Sequence, residues 1–185
     1  MKETDGSEVD MSMSTTNTMN TNGHRDRIVA ILRGIERPGM DAVIDYLDSS
    51  NYFSRGCYGH HKERGGLAQH SIEVYEHMCT HVGGRFPAES IAVVALFHDL
   101  GKTRKSDGRG HWTRSLDILD ACGFALTDDE RTAIGRHHDS TLGFIICPLR
   151  RALSLGDMDS TGRWKRAHRD KCGHHHHCHH SHSNR

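Results

Sequence analysis

A long apolar segment is the most informative feature that this sequence lacks. No run approaches the roughly 20 residues of a membrane span, and the N-terminus has no apolar signal-peptide core. Aromatic residues make up only 6% of the chain and hydrophobic residues 35%, with a mean hydropathy of −0.67. Such polar composition indicates that part of the chain is unstructured. We therefore expect a soluble, cytoplasmic protein without a membrane partner.

Neither sign of charge is in excess, since Lys plus Arg and Asp plus Glu both number 24 among 185 residues. The overall charge therefore does not indicate nucleic acid or a membrane surface as a partner. The six cysteines include no C-x-x-C pair. In a chain without a secretion signal such thiols are expected to be reduced, so a disulfide framework is not expected.

Helical periodicity defines one domain between two polar tails. Residues 1–23 contain almost nothing to bury, which predicts a disordered leader. From Arg25 to about Lys165, apolar residues recur at helical spacing between glycine and proline breaks. The run IAVVALF (91–97) would also fit a strand, but its neighbours favour a helix. Six to seven helices predict an all-α bundle over residues 24–172, followed by a disordered tail over 173–185.

Histidine is the residue in clear excess, with 18 in the chain and seven of them in the tail between His174 and His182. This tail is either a purification tag or a natural metal-binding segment, which would make metal buffering one function of the protein. The basic segment 162–171 precedes it. Such a segment is usually a solvated helix end, and its alternative role is to attract a phosphorylated substrate.

The remaining histidines include several that lie inside or at the ends of apolar helical segments. With the neighbouring acids they are His70, His98-Asp99, His111, His137-His138 and Asp157. A buried imidazole or carboxylate without a partner is unfavourable, and both groups are ligands of divalent metals. A shared metal ion would remove that cost. Because adjacent helical residues diverge by about 100°, the HD pair can reach one ion only near a helix end, which Gly101 supplies.

Five motifs occur in an order that resembles the HD-domain metal-dependent phosphohydrolase superfamily. They are GGLAQHS (65–71), LFHDLGK (96–102), GHWTRS (110–115), LTDDERTAIGRHH (126–138) and LGDMDS (155–160). The resemblance covers about residues 37–164, which is most of the predicted domain. It implies that the all-α fold is a single HD-type helical bundle.

The resemblance also implies the site residues. The positions that match the ligands of a first metal ion are His70, His98, Asp99 and Asp157. His111 and His137 match the ligands of a second ion, with His138 as the alternative to His137. Asp99 would bridge the two ions, and Lys102 would lie near the substrate phosphate. The cofactor would be one or two divalent ions of Mn, Fe, Mg, Zn or Ni.

The function that the resemblance implies is hydrolysis of a nucleotide or another phosphate ester by metal-activated water. Arg64 and Arg114 are further candidates for phosphate binding, because they are neighbours of the motifs in sequence. The partner would be a small phosphorylated substrate, with short nucleic acid as a second candidate. The alternative is a catalytically silent HD domain that senses a nucleotide or binds a partner.

Overall fold

The computed structural model describes residues 22–57, 61–138 and 147–162. Within these ranges it contains seven α-helices and no β-strand: α1 (22–33), α2 (Met40–Ser49), α3 (Gly66–Val82), α4 (Ala88–Phe97), α5 (His111–Ala121), α6 (Asp128–Arg136) and α7 (Pro148–Ser160). A 3₁₀ turn, Leu100–Thr103, joins α4 to α5. The all-α prediction is confirmed for the described residues.

The predicted tails, 1–23 and 173–185, lie outside the described residues except for residues 22 and 23, as do the last residues of the predicted domain, 163–172. Helix α1 already includes Asn22 and Gly23, so it starts before the predicted domain boundary at residue 24. Both residues are exposed and polar or small, and exposed positions carry no apolar periodicity that would reveal them. None of the described helices is long and apolar enough to cross a membrane.

Helix α4 forms the centre of the core, as its apolar composition on all sides predicts. Every residue from Ser90 to Phe97 is buried. Helix α3 packs against α4 and α7, while α6 packs against α5 and α7. Each large apolar side chain buried in this way contributes about 1.5–3 kcal/mol. Residues 91–97 thus belong to a helix and not to the alternative strand, and α4 packs against α3, α6 and α7.

Two local features fix helix ends in the bundle. Thr127 and Glu130 form the predicted capping box at the start of α6, and the buried Glu130 carboxylate also accepts hydrogen bonds from Arg37. At Gly101 an added Cβ would lie 2.0 Å from the carbonyl oxygen of His111. Only glycine permits this approach, so Gly101 allows the first turn of α5 to lie directly against the end of α4.

Candidate metal centre

The four residues that match the first ligand set lie together in the core. Helix α3 provides His70, the chain just after α4 provides His98 and Asp99, and α7 provides Asp157; all four are buried. The Nε2 atom of His70 lies 3.3 Å from Nε2 of His98, 3.4 Å from Oδ2 of Asp99 and 3.3 Å from Oδ1 of Asp157. The Nε2 atom of His98 lies 3.4 Å from the same Asp99 oxygen.

These spacings match the ligand shell of a metal ion. Metal–ligand bonds of about 2.1 Å place neighbouring ligand atoms about 3.0–3.4 Å apart at octahedral or tetrahedral angles. The outer ring nitrogens are already engaged, because Nδ1 of His98 donates to the carbonyl of Ala95 at 2.9 Å and Nδ1 of His70 lies 2.8 Å from Oγ of Ser160. Both Nε2 atoms therefore turn toward the centre, in the arrangement that a metal-ligating histidine requires.

A second group of ligand candidates, all histidines, lies near the other carboxylate oxygen of Asp99. His111 begins α5, and His137 and His138 directly follow α6. Ligand nitrogens of these three histidines all lie within 4.8 Å of one another. The Nε2 atom of His111 lies 3.0 Å from Oδ1 of Asp99 and 3.2 Å from Nε2 of His138. The structure thus brings His137 and His138 together, where the sequence left them as alternatives.

Two buried atoms between these groups have no hydrogen-bond partner among the described residues: Oδ1 of Asp99 and Nε2 of His137. Oδ1 of Asp99 is close to Nε2 of His111, but the two atoms are not in hydrogen-bonding geometry. Nδ1 of His137 donates to the carbonyl of Ile134 at 2.8 Å, which leaves a lone pair on Nε2. Each unpaired buried group costs about 1–3 kcal/mol, and a cation would satisfy both. The residues present therefore fit a metal ion.

The pKa values describe how the cluster is charged without an ion. Burial lowers the pKa of His70, but hydrogen bonds to Asp157 and Asp99 outweigh burial and raise it to about 9. Burial raises the pKa of Asp99, but the neighbouring imidazoles, His98 foremost, hold it well below its usual range. Burial, together with the charge of His98, lowers the pKa of His137 to about 3. At neutral pH His70 is thus protonated, and its Nε2 lies close to the carboxylates of Asp99 and Asp157. A divalent cation would fit at the same place.

Lys102 lies in the 3₁₀ turn at the edge of this cluster. Its Nζ lies 2.5 Å from Oδ2 of Asp99 and donates to the sulfur of Cys57 at 3.8 Å. Burial lowers the pKa of Lys102, but the Asp99 carboxylate outweighs it, so the pKa is raised and the side chain is a cation at neutral pH. With 23% of its side chain exposed, Lys102 connects the buried carboxylate to the surface.

The sequence interpretation missed some of the residues around the cluster. Cys57 is buried, and its sulfur lies within 4.8 Å of ligand atoms of His70 and Asp99. Ser160 donates to Glu73 at 2.8 Å and so links the outer nitrogen of His70 to a carboxylate. No motif marks Cys57, which comes from a polar loop. Ser160 ends the LGDMDS motif, so its nearness to Asp157 in sequence was an available signal.

Other candidates from the sequence lie outside the cluster. Arg114 is buried and donates to the carbonyls of Gly101 and Arg109, so its guanidinium holds the turn before α5. Arg64 is exposed. His77, which the sequence did not mark as a candidate, pairs with Asp159 at 3.1 Å outside the cluster.

Comparison of the chain with protein-family models, with curated proteins and with solved structures found no significant match. The geometry of the described residues is therefore the basis for assigning the site. The buried His, Asp and Cys groups can hold a metal ion. Together with those of His111 and His138, their ligand atoms come from six separate segments of the chain, which only the folded bundle brings together.

Proposed function

We propose that the protein is a metal-dependent phosphohydrolase that acts on a nucleotide or another small phosphate ester. The observation that carries this proposal is the position of Asp99, whose Oδ2 faces His70 and His98 and whose Oδ1 faces His111. Two-metal phosphohydrolase sites use such a shared carboxylate to hold ions about 3.5–4 Å apart. The order of motifs, which resembles the HD-domain superfamily, supports the same assignment.

The ligand types narrow the choice of ion. Five imidazoles and two carboxylates surround the centre, since the two sets contribute His70, His98, His111, His137 and His138 with Asp99 and Asp157. Imidazole ligands suit Mn²⁺, Fe²⁺, Zn²⁺ and Ni²⁺ better than Mg²⁺, which prefers an all-oxygen shell. When bound, the ions supply Lewis acidity that activates a water molecule and polarises the phosphoryl oxygens.

The protein groups have distinct tasks in this proposal. Nδ1 of His70 and Nδ1 of His98 are held by hydrogen bonds, so the rings are fixed before any ion binds. Lys102 now shares an oxygen of Asp99. If that carboxylate held an ion, the ammonium group of Lys102 would be available to neutralise charge on the phosphoryl group. The substrate approaches where the cluster reaches the surface, at Lys102, His111 and the exposed His138.

A substrate screen tests the proposal. Purified chain loaded with Mn²⁺ is assayed against nucleoside mono-, di- and triphosphates, cyclic nucleotides and short RNA. We expect phosphate release or chain cleavage with at least one class, and loss of that activity in Asp99→Asn. Binding of a nucleotide without turnover would instead select the catalytically silent sensor. Activity that survives in Asp99→Asn would place the chemistry elsewhere.

A further inference from the structure

A cavity of about 450 Å³ lies next to the metal centre. Among the described residues it is lined by Arg55, Gly56, Cys57 and Lys62. Cys57 is the link between the two features, because its sulfur accepts a hydrogen bond from Lys102 and lies close to ligand atoms of the first set. The cavity and the cluster therefore share Cys57, which contacts Lys102 at the edge of the cluster.

The backbone segments that carry the two basic side chains of this cavity are held together by hydrogen bonds and close packing. The backbone N–H of Cys57 donates to the carbonyl of His61 at 2.7 Å, and Leu67 donates to the carbonyl of Arg55 at 2.9 Å. An added Cβ at Gly56 would lie 2.3 Å from the carbonyl oxygen of Lys62, so the two segments approach as closely as glycine allows. These contacts hold the backbone at Arg55 close to the backbone at Lys62.

Neither cation is neutralised within the part of the chain that the structure describes. No ion pair joins Arg55 or Lys62 to a described carboxylate, and the described lining contains no acidic residue. Two cations without an ion-pair partner, on backbone segments held together in this way, can form a site for an anion. Arginine recognises phosphate through paired N–H groups, and lysine adds a compact positive charge.

We propose that Arg55 and Lys62 bind a second phosphate group of the substrate. This inference rests on the proposed function, and it narrows the substrate class to small molecules with two or more linked phosphates, such as nucleoside di- or triphosphates. The phosphoryl group that reacts lies at the metal centre and Lys102, and the remaining phosphate occupies the cavity. A volume of about 450 Å³ is within the range of small-molecule sites and holds a diphosphate with part of a nucleoside.

Direct binding tests the site without requiring turnover. Isothermal titration calorimetry of the full chain, without added metal, compares inorganic pyrophosphate with inorganic phosphate. We expect wild type to bind pyrophosphate more tightly, and the double variant Arg55→Gln/Lys62→Gln to bind it about 10- to 100-fold more weakly, as expected when charge-assisted hydrogen bonds are lost. Arg64→Gln is the matched control, because Arg64 is an exposed neighbour outside the cavity lining, and its affinity should stay within about twofold of wild type.

Kinetics of the metal-loaded chain provide the second measurement. The double variant should lose about 10- to 100-fold in kcat/KM for a nucleoside diphosphate but less than about threefold for the monophosphate. Equal losses for both substrates, or unchanged pyrophosphate affinity with an unchanged melting temperature, would overturn the assignment. Loss of short-RNA binding in the double variant, with its pyrophosphate affinity unchanged, would also overturn the assignment. If wild type binds pyrophosphate through these residues but hydrolyses nothing, the proposed function fails and the anion site stands.

Discussion

Replacement of Asp99 by asparagine provides the sharpest test of the shared ligand. Oδ2 of Asp99 faces His70 and His98, and Oδ1 faces His111. Asparagine has a single side-chain oxygen and no negative charge, so it cannot serve both sets. We expect Asp99→Asn to lose both ions, whereas Asp157→Asn should lose only the first, because among the described residues Asp157 groups with His70 and His98.

The size of the effect follows from binding linkage. An ion present at 100 times its Kd stabilises the folded chain by about 2.7 kcal/mol. For a domain of this size 1 kcal/mol corresponds to about 2–4 °C, so each ion should raise Tm by about 5–11 °C. Wild type with two ions should therefore shift by about twice that amount. The shift should vanish in Asp99→Asn and fall by about half in Asp157→Asn.

The assay is thermal unfolding followed by circular dichroism, with and without Mn²⁺, together with a count of bound ions by elemental analysis. Residues 173–185 are removed so that the histidines of the tail do not contribute. Asp159→Asn is the matched control, because Asp159 lies two residues after Asp157 but pairs with His77 outside the cluster. A full metal-dependent shift in Asp99→Asn, or its loss in Asp159→Asn, would refute the ligand assignment.

Three further changes test the surroundings of the centre. Lys102→Ala should keep both ions but lower turnover about 10- to 1,000-fold because a charge at the reacting centre is lost; wild-type turnover would leave Lys102 with only its structural ion pair. Ser160→Ala should weaken metal binding about 10- to 100-fold with an unchanged circular dichroism spectrum, because Nδ1 of His70 loses its partner; unchanged affinity in calorimetry would remove Ser160 from the site. Glu130→Gln should lower the free energy of unfolding at pH 7 by about 1.5–3 kcal/mol, because Arg37 loses its buried partner. Burial raises the pKa of Glu130, but the hydrogen bond from Arg37 outweighs it and holds the pKa below its ordinary 4.5. Wild type should therefore have this stabilisation in full above pH 4.5 and lose it as the pH falls through the lowered value, whereas Glu130→Gln should lose less. Urea unfolding at neutral pH and at about pH 3 measures the difference, and equal acid sensitivity of the two proteins would contradict it.

Much of the helical architecture and the candidate ligands were predictable from the sequence, because both depend on local chemistry. Apolar spacing marks the helices, and the run 91–97 is buried on all sides because it has no polar face. The Thr127–Glu130 capping box is likewise local, since its hydrogen bonds join residues three apart. Histidine and aspartate within apolar segments identified the cluster because burial without a partner is unfavourable there.

Only the tertiary structure decided which of these groups meet. His70 and Ser160 are 90 positions apart, and their contact depends on how α3 packs against α7. His138 joined the second set because the chain turns just after α6, which no periodicity reveals. Arg114 was a candidate for phosphate by sequence, yet its guanidinium donates to the carbonyl of Gly101 and so holds the turn before α5. Cys57 comes from a loop with no motif. Side-chain direction and long-range packing settle such contacts, and they are properties of the assembled bundle, not of any single segment.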